Sequence, residues 1–375
     1  MTYNEQLIER AKINGKLTFN PYGMSFRWCN NNCEFCYLKD YMHKKIMPLS
    51  EFQEIADNLI KWINNNHNII PKDLAIGMLL IGGELFCLPT SYYNIMKDLV
   101  YRVKTTLEKY DLSLYGLCIC SNLLFKENKL NEIFEFYDYC KLLNIHTDFF
   151  SSYDLWGRFS SREQVELWYN NLLKVIEKGP IGIEILLSKQ GIDKYLKNKD
   201  CYEVEYFKKL LELNDKIDFG GKLLIYKDNI PNINEVVSFY KKVIDEYGIT
   251  NLIKEFEVGP NDDIEFASAS SLSLDKNGII ERYCDSILSI NPNKSQSKNC
   301  FECVSNNKQF NQFYDNTIGC ASCKYREHCH YYNKNICLLC YNNYNNIIQP
   351  KNCYRKKIYK YVELYKSNHR VSKED

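Results

Sequence analysis

Apolar positions recur through the first two thirds of the chain in two alternating periods. Short runs rich in β-branched and aromatic residues mark strands at Lys16–Phe26, Leu74–Ile81, Leu114–Cys120, Ile145–Phe150, Ile181–Leu187 and Phe219–Tyr226. Between them apolar residues recur every three or four positions, as on one face of a helix. Ser50-Glu51-Phe52-Gln53 has the form of a capping box opening a helix through Asn64. Further helices fit Thr90–Lys109, Asn128–Leu143, Ser161–Glu177, Glu203–Leu213 and Ile233–Tyr247. Six strands, each followed by a helix, imply an α/β fold with parallel strands and right-handed connections. The expected architecture is a partial (β/α)6 TIM-like barrel rather than a closed eight-unit one. In such folds chemistry gathers at the C-terminal ends of the strands.

After about Glu255 the alternation stops. Residues 1–255 therefore read as the barrel domain and 256–375 as a C-terminal cysteine-rich metal-binding domain. A segment with so little hydrophobic periodicity needs metal to hold it together. Its tail, Lys351–Asp375, carries eight Lys/Arg against three acids, with four tyrosines interleaved. A terminal amphipathic helix with a solvated basic face accounts for this, contact with nucleic acid or an acidic peptide being the alternative.

Composition narrows the function classes. Lys and Arg total 48 against 47 Asp and Glu, a balance that argues against nucleic acid as a partner. No eighteen-residue apolar stretch exists, so no membrane span is expected. The opening MTYNEQLIER lacks an apolar signal region, which favours a cytoplasmic location. There a count of 17 cysteines reads as metal ligands rather than disulfides.

The cysteines fall in two groups. Cys29-Asn-Asn-Asn-Cys33-Glu-Phe-Cys36 follows the first strand directly. Three thiolates at this spacing can wrap one face of an iron–sulfur cube and leave one iron open. A zinc knuckle with His43 as fourth ligand is the competing reading. Nine more lie between Cys284 and Cys353, and five are scattered through the middle. Of these five, Cys118 and Cys120 alternate onto one strand face and are expected in the core, while Cys87 lies three residues after Glu84.

Cys-x3-Cys-x-aromatic-Cys after the first strand, with Phe35 as the aromatic, resembles the signature of the radical S-adenosylmethionine (SAM) superfamily. The resemblance implies a [4Fe–4S] cluster whose open iron chelates SAM. One electron, delivered from an external donor such as flavodoxin or ferredoxin, then cleaves SAM to a 5′-deoxyadenosyl radical that abstracts hydrogen from a substrate. Other motifs fall where it would place them. Gly82-Gly83-Glu84 follows the second strand and matches the family's GGE motif, whose glycines permit close approach. Glu84 would accept hydrogen bonds from the SAM amino group. Ser121-Asn122 would meet the ribose hydroxyls, and Ser152 with Asp154 resembles the Ser-x-Asp of peptide-modifying members. Arg162, in preference to Arg158, would pair with the SAM carboxylate. For each of these residues turn chemistry, helix capping or surface charge is the alternative. Ile181–Leu187 would flank the adenine, with ordinary strand core the simpler reading.

Cys320-x2-Cys323-x5-Cys329 is similar to the core of the SPASM extension, which binds auxiliary [4Fe–4S] clusters in relatives. Leu272–Cys284 resembles the hairpin leading to an early cysteine of that module. The pattern departs in four places: Asp262–Ser271 has no cysteine, Gly278 to Cys284 is one residue longer than typical, the cysteine after Cys329 is eight positions on, and Cys300 and Cys303 are additional. The resemblance groups Cys320, Cys323, Cys329 and Cys353 around one cluster. It groups Cys284, Cys303 and Cys337 around another, with Cys300 or Cys340 as the fourth ligand. Zinc is the alternative, because Cys300-x2-Cys303-x16-Cys320-x2-Cys323 has zinc-ribbon spacing.

The implied activity is modification of a peptide or protein by a maturase, with Asp154 or Asp148 as proton-acceptor candidates. With 28 residues before Cys29, no leader-recognition domain is expected there. The alternatives are radical modification of a small molecule or nucleotide, and a non-enzymatic zinc or iron–sulfur binding protein.

Overall fold

A computed structural model describes residues 2–23, 25–36, 42–223, 231–249, 271–279, 324–325 and 354–370. Among them the elements run α1 (Tyr3–Asn14), β1 (Lys16–Asn20), α2 (Leu49–Asn66), β2 (Ala75–Leu80), α3 (Thr90–Glu108), β3 (Leu114–Cys120), α4 (Glu127–Leu142), β4 (His146–Asp154) and α5 (Arg162–Lys178). They continue with β5 (Ile181–Leu187), α6 (Lys189–Leu196), α7 (Tyr202–Leu211), β6 (Asp218–Leu223), α8 (Ile233–Tyr247), β7 (Ser271–Asp275), β8 (Gly278–Ile279) and α9 (Tyr354–Arg370).

The fold is α/β around one mostly parallel sheet with strand order β6-β5-β4-β3-β2-β1-β7-β8. The order ends on two edges, so the sheet is open. β1 pairs in parallel with β2 and with β7, β2 with β3, and β3 with β4. β7 and β8 form an antiparallel hairpin, as expected from Leu272 onward, and its first strand extends the sheet beside β1.

Contacts divide the described residues into two compact units. One lies within Met1–Ser151, Glu163–Gly182 and Asn261–Asp285, the other within Ser152–Arg162, Ile183–Pro260 and Ser286–Asp375. In the first, α2 lays Phe52, Ile55, Ala56, Leu59, Trp62 and Ile63 inward at helical spacing. Phe19 of β1 meets Trp62 edge-on, with ring centroids 5.9 Å apart. Phe52 stacks on Tyr22 at 3.9 Å and meets Phe26 at 6.0 Å and Tyr92 at 5.1 Å. Tyr22 and Phe26 belong to the segment leaving β1, so core packing fixes the path of the chain toward Cys29.

In the second unit Tyr153, Tyr195, Phe207 and Phe239 form a buried aromatic cluster. The basic tail forms α9, a helix with Ile358 buried and Lys356, Lys357, Lys360 and Lys366 exposed, which matches the amphipathic reading. Tyr361 donates to Asp245 of α8 at 2.5 Å.

Several boundaries differ from expectation for local reasons. β1 stops at Asn20 because Pro21 has no N–H for the ladder. β4 runs to Asp154, since Tyr153 keeps the buried period going past the two serines. The capping box at Ser50 does not form: the helix opens at Leu49 after Pro48 with no side-chain cap, which puts Ser50 inside the first turn, and Gln53 bonds to Asp57 instead. Capping boxes occur at Thr2/Glu5 and Asn232/Glu235. α6, absent from the sequence reading, is capped by Ser188, whose hydroxyl accepts from the Gly191 N–H at 3.0 Å.

Candidate functional site

The segment from Pro21 to Cys36 leaves the C-terminal end of β1 and is zipped onto the loop after β2. The Gly83 N–H donates to the Phe26 carbonyl at 2.8 Å, and the Glu84 N–H to the Trp28 carbonyl at 2.7 Å. Here the glycine pair has a definite role. A Cβ on Gly83 would lie 1.9 Å from the Trp28 carbonyl oxygen, and one on Gly82 3.1 Å from that of Tyr22. The close approach that Gly82 and Gly83 permit in this structure is to the cysteine loop's own backbone.

Glu84 is buried, and three donors converge on its carboxylate. The Asn122 N–H reaches it at 2.6 Å, the Ser121 hydroxyl at 3.1 Å and the Phe86 N–H at 3.1 Å. Those bonds use most of the acceptor capacity of one carboxylate. Ser121 and Asn122 directly follow β3, so Glu84 ties the loop after β2 to the loop after β3.

The Asn122 side chain carries the tie onward. Its Nδ2 donates to Asn30 Oδ1 at 2.8 Å and to Cys29 Sγ at 3.5 Å, while its Oδ1 accepts from the Leu124 N–H at 2.8 Å. Asn30 donates in turn to the Leu124 carbonyl at 2.5 Å. Leu123 is held in the left-handed region at φ 55, costly for a side chain of its size. Buried Asn171 clamps this turn, donating to the Leu123 and Phe125 carbonyls at 2.8 Å each.

Around the sulfurs the donors are N–H groups. The Asn31 N–H points at Cys29 Sγ at 3.4 Å and the Asn31 side chain at Cys33 Sγ at 3.3 Å. Cys36 closes a turn, its N–H donating to the Cys33 carbonyl at 3.2 Å. Burial first, and then the Glu84 charge, push the Cys29 thiol up to about 12, against smaller help from Asn31 and Asn122. The bare thiol therefore keeps its proton at neutral pH and is a poor nucleophile. A metal centre would have to displace that proton.

N–H groups aimed at cysteine sulfurs are the donor set that an iron–sulfur cube calls for. Among the described residues no three His, Cys, Asp or Glu side chains converge as ligands of a single ion. A single ion draws all its ligands to one point, whereas a cube presents separate corners.

The second set of expected residues lies along β4 and the turn after it. Arg158, also buried, donates through Nε to Asp154 and through a terminal nitrogen to Ser152. Burial pushes the Asp154 carboxyl up to about 7, with Arg158 opposing the rise. Arg162, the guanidinium favoured from sequence, is half-exposed and pairs with Glu205 at 2.8 Å. Arg158 is thus the guanidinium that meets Ser152 and Asp154. Asp148, half-buried, pairs with His146 at 3.2 Å.

Cys118 and Cys120 share one strand face, as their spacing requires, with sulfurs 3.7 Å apart. That face is the half-exposed one, and Leu117 and Ile119 take the core side, which corrects the expectation of two core cysteines. The Cys87 thiol is raised by burial and then by Glu84 and Cys29, an inert group beside the network. Cys284, Cys300, Cys303, Cys320, Cys323, Cys329, Cys337, Cys340 and Cys353 lie outside the described residues.

Asn30, Asn31 and Asn171 are the site residues that sequence reasoning missed. The only signal was the Asn-Asn-Asn between the first two cysteines, in a chain where asparagine is abundant throughout. No protein-family model matches the chain, and no curated protein matches it.

Proposed function

We propose that the chain is a radical SAM enzyme built on an incomplete barrel of six βα units, and that its substrate is a peptide or protein. The observation that carries the reading is the cysteine loop itself. Cys29, Cys33 and Cys36 leave the C-terminal end of β1 on a segment hydrogen-bonded to the Gly82–Glu84 loop, with Asn122 at the end of β3 donating to Cys29. Three successive strand ends thus meet at one cysteine loop, where open α/β folds place their ligands.

In this reading the three cysteines hold a [4Fe–4S] cluster, and Asn31 and Asn122 donate to their sulfurs. Bound there, the cluster would supply the electron that cleaves SAM. Glu84 orients Ser121 and Asn122 by accepting from both. The peptide preference and one or two auxiliary clusters rest on the SPASM-like cysteine spacing, with a zinc ribbon as the competing occupant.

Anaerobic reconstitution followed by metal analysis and SAM incubation tests the proposal. About twelve irons per chain would support three clusters, and about four irons with zinc the ribbon. Reduced protein should convert SAM to 5′-deoxyadenosine, and Cys29→Ala, Cys33→Ala and Cys36→Ala should each abolish that product. Cleavage that persists in any of the three removes the assigned triad. A mass change in a candidate peptide, followed in the same incubation, tests the substrate class.

A further inference from the structure

Two cysteines outside the candidate site stand side by side on one strand. Cys118 and Cys120 alternate along β3, which brings their side chains to one face, and their sulfurs lie 3.7 Å apart. Parallel register sets Asp148 of β4 beside Cys118 and His146 beside Gly116, on that same face. The opposite face carries Leu117, Ile119 and Phe149, and Phe149 packs against Phe134 and Tyr137 of α4. The two thiols and Asp148 therefore point away from α4.

This face is open to solvent. Both cysteines are partly exposed although the Cys118 backbone is paired on both sides, to Leu79 and Asp148, so the exposed surface belongs to the side chains. Beside them the Asp148 side chain is 45% exposed and that of His146 63%. An extended strand spaces alternate residues about 6.7 Å apart, the upper limit for a disulfide. The sulfur separation suits a shared ion instead, since a tetrahedral zinc with Zn–S about 2.3 Å holds two of its sulfurs about 3.8 Å apart. Asp148 turns its carboxylate to His146, 3.2 Å away, so among the described residues three ligands do not yet meet. Both members of that pair are well exposed, and the carboxylate can leave it at little cost.

We propose that Cys118 and Cys120 form a site for one thiophilic divalent cation of the zinc type, with Asp148 swinging from His146 to serve as third ligand. Two sulfurs and a carboxylate are donors that zinc accepts, whereas calcium and magnesium take oxygen alone. Binding releases the two thiol protons to solvent. Three protein ligands leave a fourth position open, as in zinc sites that bind a second molecule rather than brace a fold. Water, or a thiolate or imidazole of that molecule, completes the tetrahedron. Cys120 is followed at once by Ser121 and Asn122, so the ion adjoins in the chain the residues that Glu84 holds. The site needs no cluster and no SAM, and stands apart from the proposed function.

The test uses the full chain, metal-free and reduced under argon, with zinc chloride as the only added metal. Trypsin releases residues 110–126, a peptide holding Cys118 and Cys120 and no other cysteine, and residues 200–208, which hold Cys201 alone. N-ethylmaleimide applied before digestion should label both cysteines of the first peptide without zinc and neither with it, and a chelator should restore the labelling. Cys201, also partly exposed, should label equally in both conditions. Cys118→Ser should leave Cys120 labelled in zinc. Asp148→Asn should raise the zinc needed for protection at least about tenfold, since even outer groups around a metal are worth that much. Thiols that do not label without zinc, protection that a chelator does not reverse, or equal protection of Cys201 overturns the site. So does protection kept in Cys118→Ser, or an unshifted zinc requirement in Asp148→Asn. Protection without SAM cleavage removes only the proposed function, and SAM cleavage without protection removes only this site.

Discussion

Replacing Glu84 by Gln should make Cys29 more reactive. The Cys29 thiol is raised from 9.0 to about 12, with burial the first cause and the Glu84 charge the second. Gln keeps the length of the side chain and one acceptor oxygen, and it removes the charge. A fall in the thiol pKa on the order of one unit, ~1.4 kcal/mol, would follow. Below the pKa each unit multiplies the thiolate fraction by about ten, and iodoacetamide reacts with the thiolate. Alkylation of the Cys29 peptide in metal-free protein, followed by mass spectrometry at pH 8–9, should therefore speed up about tenfold. Ser121→Ala is the control. It removes one bond to the same carboxylate, Ser121 Oγ to Oε1 at 3.1 Å, and keeps the charge, so Cys29 should alkylate at the wild-type rate. An equal acceleration in Ser121→Ala would refute the electrostatic reasoning, because loosening of the loop would then explain both.

Gly83→Ala should displace the cysteine loop, since the new methyl would fall 1.9 Å from the Trp28 carbonyl oxygen; iron retained after reconstitution should drop sharply, and a wild-type iron content would contradict the zipped-loop geometry. Arg158→Met leaves the buried Asp154 and the half-buried Ser152 without their guanidinium and should cost about 3–5 kcal/mol, whereas Arg162→Met breaks a half-exposed pair and should cost under about 1 kcal/mol; denaturant titrations that rank them the other way would overturn the assignment. Ile358→Ala should cost about 2–4 kcal/mol, because α9 buries that side chain fully; an unchanged denaturation midpoint would show that α9 contributes no packing. In metal-free protein the Cys29 pKa lies above its unfolded value, so the unfolded chain releases that proton first as pH rises. This contribution is intact below pH 9 and is lost between 9.0 and about 12, and thermal denaturation of wild type against Cys29→Ala should show the difference in slope.

Strands and helices were legible because their apolar periods differ, and β2, β3 and β5 fall within one residue of expectation. Where the period was interrupted by residues with two readings, the sequence misled. Ser151-Ser152 looked like the end of a strand, but the buried Tyr153 shows that the ladder continues. The cysteine triad and Gly82–Glu84 were visible as motifs, yet their physical relation was not. Nothing in one-dimensional spacing says that a glycine's missing Cβ faces a carbonyl sixty residues away in the chain rather than a ligand. The choice between Arg158 and Arg162 likewise depended on which one the turn after β4 buries. Spacing from Asp154 cannot reveal that, because both follow it closely, Arg158 in the turn and Arg162 at the first position of α5.

The network around Glu84 accounts for a loop that keeps its shape before any ligand arrives. Cys29 is reached by Asn122, which is reached by Glu84, which also fixes Ser121; the turn they share is clamped by Asn171 despite the strained Leu123. Ordering these residues during folding means that a bound group need not order them again, which is how preorganised sites gain affinity. The same arrangement carries an electrostatic cost, since a buried carboxylate lies near a sulfur that metal binding would make negative. Three donors on Glu84 and two on Cys29 offset that cost in part, and the raised thiol shows that the offset is incomplete without a cation. A loop prepared in shape and uncompensated in charge is suited to a metal centre, because the positive charge it lacks is what such a centre brings.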